Sequence, residues 1–305
     1  MRPTVTAVIP TLNEARNLPE VLQRLPRGVN ELIIVDGHST DDTVQVALSL
    51  RPDARIVFQD GRGKGNALAC GFAAARGDIV VMIDADGSTD PAEIPDYIRP
   101  LIQGADFVKG SRYMHGGGSD DITWLRSVGN RALGLSVNLA FGTRYTDLCY
   151  GYSAFWRRVL PQLQISCDGF EVETLMNVRA AKAGLRIVEV PSYERARIYG
   201  LSNLNAWRDG RRVLSTIVGE RLSGLPGASD AWMPDYTELG ESVPDLRIVT
   251  GRRPHDNDHA QLAARSDTHR VTAGARAPGR SARRAHGRRA TSEEPSEVKL
   301  SVSFS

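Results

Sequence analysis

Through its first 113 residues the chain alternates short, continuously apolar runs with segments of helical periodicity. The runs are VTAVIP (5–10), ELIIVD (31–36), ARIVFQ (54–59), DIVVMIDAD (78–86) and ADFVKGSRY (105–113). Between them lie a helix beginning near Asn17, STDDTVQVALSL (39–50), GNALACGFAAARG (65–77) and PAEIPDYIRPLIQG (91–104). A strand that is apolar on both faces has both faces covered, and strands separated by helices run parallel. The expectation is an α/β fold with a mainly parallel, Rossmann-like sheet and helices on both faces. Ligands of such sheets gather at the carboxyl ends of the strands. Asp36, the stretch 59–64, Asp84, Asp86 and the stretch 110–113 all fall at such ends.

The strand ends carry the candidate chemistry. In VVMIDADGSTDP (80–91), Asp84 and Asp86 follow a buried strand and Gly87 supplies a turn. Ser88, Thr89 and Asp90 are enough to cap the next helix, which leaves Asp84 and Asp86 free to hold a divalent cation. Oxygen-only ligands with open positions suit Mg²⁺ or Mn²⁺, which keep waters and substrate phosphates in their shell. Ser39 to Asp42 cap the second helix, and Asp36, upstream of that cap, is placed to take hydrogen bonds from a ribose or a base. DGRGKGNA (60–67) embeds Lys64 among glycines at a helix start, which favours an anion. It has neither the Ser or Thr of a Walker loop nor the spacing of a dinucleotide fingerprint.

The second half begins with the turn-rich MHGGGSDD (114–121) and a long helix from Thr123 to about Phe141. TDLCYGYSAFWRR (146–158), a helix over 169–184 that carries Glu171 and Glu173, the strand LRIVEVP (185–191) and an amphipathic helix over 207–222 follow. That last helix puts Trp207, Val213, Leu214, Ile217 and Val218 roughly to one side, a stripe suited to core packing or to a membrane surface. From about Gly224 the periodicity is lost, and 225–305 reads as a disordered tail. Within it LRIVT (246–250) is strand-like but has nothing nearby to bury it.

Composition narrows the class further. A net charge of +2 over 305 residues argues against nucleic-acid binding, and a 41% hydrophobic share suits a globular core. Cys70, Cys149 and Cys167 form no close pair, which argues against a disulfide framework or a zinc site and fits a reducing cytoplasm. The first strand begins at once, leaving no room for a signal peptide, and no run approaches the length of a membrane span. The expected location is cytoplasmic, at most on the inner face of the cell membrane.

Taken together, VIPTLNE, IIVDGHSTDDT, GRGKGNAL, MIDADGSTDP, KGSRY, TDLCYGYSAF, GFEVET and VPSYERARIYGLSNL, in this order over 5–205, resemble family 2 nucleotide-sugar glycosyltransferases of the A-type fold. The nearest branch is that of the polyprenyl-phosphate (dolichyl-phosphate) mannosyl- and glucosyltransferases. Three features depart from its pattern: Asp36-Gly37 where two acidic residues are common, Ser202-Asn203 where Ser-Lys is common, and no C-terminal membrane spans.

The resemblance implies a catalytic domain over 1–224, with a nucleotide-sugar half to about 115 and an acceptor half beyond it. It implies that Pro10, Thr11, Glu14 and Asp36 hold the base and ribose of a UDP- or GDP-hexose. Lys64 and Gly65 lie near the nucleotide, and Asp84 and Asp86 meet ribose, metal and diphosphate. Arg112, Arg131 and Arg197 are candidates for the donor diphosphate or the acceptor phosphate, and Asp147, Glu171 or Glu173 for a base. The implied reaction is inverting, metal-dependent hexose transfer to a polyprenyl phosphate at a peripheral membrane contact. A phosphate acceptor is already anionic and needs cationic positioning rather than a base. The alternatives are the same donor chemistry on a soluble acceptor (a phosphorylated small acid or a glycan hydroxyl) and a non-catalytic nucleotide-sugar or lipid-binding protein. Processive polymer synthesis is disfavoured because no Gln-x-x-Arg-Trp segment occurs. Nucleotidyltransfer is disfavoured because the glycine-rich N-terminal signature is absent.

Overall fold

The computed structural model describes residues 2–200, 205–223 and 247–250, all within one compact unit, Met1–Arg253. Strands β1 (Val5–Thr11), β2 (Glu31–Asp36), β3 (Arg55–Phe58) and β4 (Ile79–Met82) alternate with helices α1 (Leu18–Gln23), α2 (Thr43–Leu50) and α3 (Gly63–Ala74). Then come α4 (Ile94–Ile102), β5 (Phe107–Ser111), β6 (Gly118–Ser119), α5 (Trp124–Phe141), β7 (Ser153–Trp156) and α6 (Leu160–Leu163). Helix α7 (Val172–Lys182), β8 (Ile187–Pro191), β9 (Tyr193–Glu194), α8 (Ala206–Leu222) and β10 (Arg247–Thr250) complete the described chain.

Eight strands form one sheet in the order β10-β8-β5-β7-β4-β1-β2-β3, and β6 pairs with β9 in a small second sheet. The apolar runs produce this arrangement directly: every residue of β4 and β5, and all but one residue of β1 and of β2, is buried. Strand β1 pairs in parallel with β2 on one side and with β4 on the other. The chain therefore leaves β1 in one direction and returns to its opposite edge, which opens a crevice at the carboxyl ends of β1 and β4.

Two strands depart from the expected pattern. β7 is antiparallel to both β4 and β5, so the sheet is mainly and not wholly parallel. Its residues lie inside an aromatic-rich stretch whose hydrophobicity signals burial but not direction. β10, expected to lack a partner, pairs antiparallel with β8 along the sheet edge. The rest of the tail, and Ser202-Asn203, lie outside the described residues.

A buried ion network fastens the second half to the sheet. Arg112, just after β5, donates through Nε to Asp147 Oδ2 at 2.7 Å and through Nη2 to Oδ1 at 3.0 Å. Its Nη1 donates to Glu194 Oε2 on β9 at 2.9 Å. Asn130 of α5 donates to Asp147 Oδ1 at 2.9 Å, and the Arg112 amide to Oδ2 at 3.1 Å. Asp147 is fully buried. Burial pushes its pKa up, but the Arg112 guanidinium outweighs burial and holds it below the ordinary carboxylate value.

This corrects two expectations. With four donors on two oxygens and no access to solvent, Asp147 is an anchor and not a proton acceptor for an incoming hydroxyl. Arg112, committed to two carboxylates, positions the strand end and leaves little of its guanidinium for a diphosphate.

Breaking a buried pair leaves an uncompensated charge, so Asp147→Ala should cost about 3–5 kcal/mol in denaturant unfolding. Because the folded-state pKa of Asp147 is depressed, its contribution is present above its ordinary value of 3.8 and is lost as pH falls through the lowered one. The stability gap between the wild type and Asp147→Asn should therefore close on acidification below about pH 4. A gap independent of pH would remove the ion pair from this account.

Candidate active site

The crevice beside β1 and β4 deepens into a cleft of about 790 Å³. Its floor is the turn after β4. Ile83 continues the strand by donating to the Val8 carbonyl, and Gly87 turns the chain with a φ of +77°. Asp86 Oδ1 accepts the Ser88 amide at 2.9 Å, and Asp90 caps the following 3₁₀ turn. The segment that follows β9 crosses over this turn, with the Arg195 amide donating to the Ser88 carbonyl at 2.7 Å. That crossing delivers Arg197 to the site.

Two cations each bridge two carboxylates at the floor. Lys64 Nζ lies 2.6 Å from Asp84 Oδ1 and 2.8 Å from Glu173 Oε1. Arg197 Nη2 lies 2.7 Å from Asp86 Oδ2, and its Nη1 lies 3.2 Å from Glu14 Oε1. Burial pushes Asp84 up to about 6 against the pull of Lys64, and burial likewise raises Glu14. Burial disfavours the Lys64 ammonium, but Asp84 and Glu173 outweigh it and hold its pKa above the ordinary lysine value.

Four carboxylates against two cations leave this cluster two formal negative charges in excess. Among the described residues no group of three or more His, Cys, Asp or Glu side chains converges as a metal cage. An oxygen-only pair, Asp84 and Asp86, inside a cluster of net charge two negative fits a hard divalent cation that completes its shell with water and phosphate.

The remaining expected residues divide into two groups. Pro10, Thr11, Glu14, Lys64, Asp84, Asp86, Arg112 and Arg197 all line the cleft. Asp36, Gly65, Asp147, Glu171 and Arg131 do not. Both oxygens of Asp36 are taken by Ser39, its Oδ1 by the amide at 2.9 Å and its Oδ2 by the hydroxyl at 2.7 Å. Asp36 therefore braces the β2–α2 turn. Gly65 is required by packing, since a Cβ there would lie 2.2 Å from the Cys167 carbonyl oxygen. Glu171 accepts the Gly169 amide at 3.2 Å, and it is Glu173, two residues on, that reaches the cleft. Arg131 is exposed and stacks over the Tyr113 ring, 5.0 Å from its centroid.

The cleft also holds residues that the sequence reading did not assign to the site. Arg126 and Arg211 line it, with an apolar wall of Leu125, Val128, Leu133 and Trp207 contributed by α5 and α8. The cap at Thr123, which accepts the Arg126 amide at 3.3 Å, sets the phase of α5 and is the signal that could have singled out Arg126 over Arg131. Arg211 had no such local signal, because its place depends on how α8 packs on α5.

Residues 6–163 match the family described as Glycosyl transferase family 2. The chain is 33% identical over 211 residues to glycosyltransferase AglJ of Haloferax volcanii, covering 68% of each chain. It is 31% identical over 220 residues to polyprenol monophosphomannose synthase of Mycolicibacterium smegmatis, covering 67% of this chain and 83% of the relative. Among solved structures it resembles glucosyl-3-phosphoglycerate synthase from Mycobacterium tuberculosis in complex with Mn²⁺, UDP-glucose and phosphoglyceric acid. That similarity has a TM-score of 0.57 and 26% identity, covering 72% of this chain and 80% of that one. The match over more than half of the chain, on a site with paired strand-end carboxylates, makes this protein a family 2 glycosyltransferase.

Proposed function

We propose that the enzyme transfers a hexose, with inversion, from a UDP- or GDP-sugar to a polyprenyl phosphate, using Mg²⁺ or Mn²⁺. The observation that carries this reading is the continuity of the cleft. The same cleft is lined by Asp84 and Asp86, by apolar side chains of α5 and α8, and by Arg126 and Arg211. An anionic head with a hydrocarbon tail matches that combination of surfaces. The polyprenol relative supports a lipid acceptor and the UDP-glucose complex supports the donor.

A second observation supports a phosphate as nucleophile. Each carboxylate that lines the cleft is ion-paired: Glu14, Asp84, Asp86, Asp121, Glu173, Glu194 and Asp209. None stands free as a base for a hydroxyl or as a nucleophile for a covalent glycosyl-enzyme. A phosphate monoester attacks without a base and needs only to be held.

In this reading Asp84 and Asp86 hold the divalent cation, which when bound neutralises charge developing on the leaving diphosphate. Lys64 and Arg197 offset part of the repulsion among the carboxylates of the floor and hold them in place for the cation that meets the donor phosphates. Pro10, Thr11 and Glu14 border the base and ribose. Arg126 and Arg211 orient the acceptor phosphate, while the donor half, to about residue 115, and the acceptor half, about 116–224, meet at the cleft. The soluble-acceptor alternative draws on the structural neighbour, whose phosphoglyceric acid is also an anionic phosphate ester.

With radiolabelled UDP- and GDP-hexoses, Mn²⁺ and polyprenyl phosphate, label should enter an organic-extractable product. Label found only in aqueous products, with phosphorylated small acids as acceptors, would replace this reading by its alternative. Asp86→Ala should lower kcat by about 100-fold or more and abolish Mn²⁺ binding followed by electron paramagnetic resonance. Unchanged Mn²⁺ binding would remove Asp86 from the metal site. Arg211→Ala should raise the acceptor KM about tenfold or more and leave the donor KM unchanged, as expected for loss of a charge-assisted phosphate contact. An equal rise in both constants would place Arg211 elsewhere.

A further inference from the structure

We propose that the outer edge of β8 is a self-pairing surface, and that β10 is an intramolecular cover that keeps it from a second copy of the chain. The inference stands apart from the transferase reading and does not depend on it.

The two ends of the large sheet are built differently. Strand β3, at one end, is partly or fully exposed at every residue, with Phe58 at 57%. Strand β8 has Ile187, Val188, Glu189 and Val190 buried in succession, and because successive side chains point to opposite faces, both of its faces are covered. An interior strand is built this way, and such a strand needs a neighbour on each side. One neighbour is β5, in parallel register from Phe107 opposite Ile187 to Ser111 opposite Pro191. The other is β10, antiparallel, with Arg247 opposite Glu189, Ile248 opposite Val188 and Thr250 opposite Ile187. Without β10, the backbone donors and acceptors of an apolar strand would face outward, a template for pairing with another chain.

By contrast, β10 is a poor template. It has four residues, and its register breaks between Ile248 and Thr250. In the sequence Pro244 precedes it, and Arg252, Arg253 and Pro254 follow. Shortness, an irregular register, flanking charge and proline are the devices that blunt a sheet edge. Docking of β10 thus exchanges a strong edge for a weak one. Direction identifies the occupant that is kept out. The uncovered edge accepts an antiparallel strand, and a β8 related by a two-fold axis arrives in that sense. Centred on Val188, the pair sets Val188 against Val188 and Ile187 against Glu189, so no like charges meet. Glu189 is turned into its own chain, where it accepts the Thr146 amide at 3.0 Å and the Asp147 amide at 3.2 Å. The strand so protected leads through β9 to the segment that carries Arg197 to the cleft floor.

The test compares the full-length wild type with the full-length double variant Ile248→Pro/Val249→Pro, which removes two amide donors and breaks the pairing of β10. In analytical ultracentrifugation the variant should form, as concentration rises, a species of twice the wild-type mass. In dilute samples its amides at 187–190 should exchange faster than those of the wild type by about tenfold or more, with β1 and β2 unchanged. A peptide of residues 246–253 added to the variant should return it to the wild-type mass and restore slow exchange. That rescue separates a lost cover from a misfolded variant. A variant that keeps the wild-type mass at every concentration overturns the proposal, as does an assembly that the peptide leaves intact. A variant of half the wild-type mass also overturns it, because β10 would then dock on a partner's β8, which the connection over 223–246 is long enough to allow.

Discussion

The parallel pairing of β1 with β2 on one edge and β4 on the other is the constraint from which the site follows. Once the chain reverses direction around β1, the ends of β1 and β4 cannot both be covered by their own connections, and a crevice opens between them. The residues after each strand, Thr11 and Glu14 on one side and Asp84 and Asp86 on the other, then border one space. Bringing four carboxylates together is costly, because like charges in a partly buried site repel more strongly than in water. Lys64 and Arg197 offset that cost by bridging two carboxylates each. The floor is thereby preorganised yet still two charges short of neutral, the balance suited to a divalent cation and incompatible with a bare anion.

The second half of the chain solves a different problem. Its elements must be held against the sheet while leaving a wall that is open to an apolar ligand. The Arg112–Asp147–Glu194 network supplies the fastening, linking the end of β5 to β9 and, through Asn130, to α5. With α5 anchored from its inner side, its other face is left to the cleft and to solvent. The exposed tryptophan and leucines of α5 are therefore a consequence of how that helix is tethered, not of loose packing. Buried ion networks of this kind specify geometry more than they add stability.

How far the sequence could be read follows from the range of each interaction. Strands β1 to β5 and β8, the helix expected over 207–222 and the turn at Gly87 were legible because hydrophobic period and turn chemistry are local. So was the clustering of Asp84, Asp86, Lys64 and Glu14, since a doubly wound sheet collects its strand ends. What Asp36 does in the β2–α2 turn was not legible, because Ser39, counted as a cap for α2, instead donates to both oxygens of the Asp36 carboxylate. Glu171 and Glu173 were indistinguishable by composition, and only the placement of α7 against α3 selects Glu173 as the partner of Lys64. The antiparallel course of β7 and the pairing of β10 with β8 left no trace in periodicity, because burial does not encode direction.

The sequence by itself determined the α/β architecture, the family and the pair of carboxylates at the end of β4. Each of these depends on residues near one another along the chain. The tertiary structure alone decided which charges meet: that Asp147 is locked by Arg112, that Lys64 and Arg197 each serve two carboxylates, and that Arg126 and Arg211, not Arg131, line the cleft. Those ion pairs join side chains from 20 (Lys64 and Asp84) to 183 (Glu14 and Arg197) residues apart in the chain, and at that separation only the packing of helices on the sheet fixes which groups share a buried space.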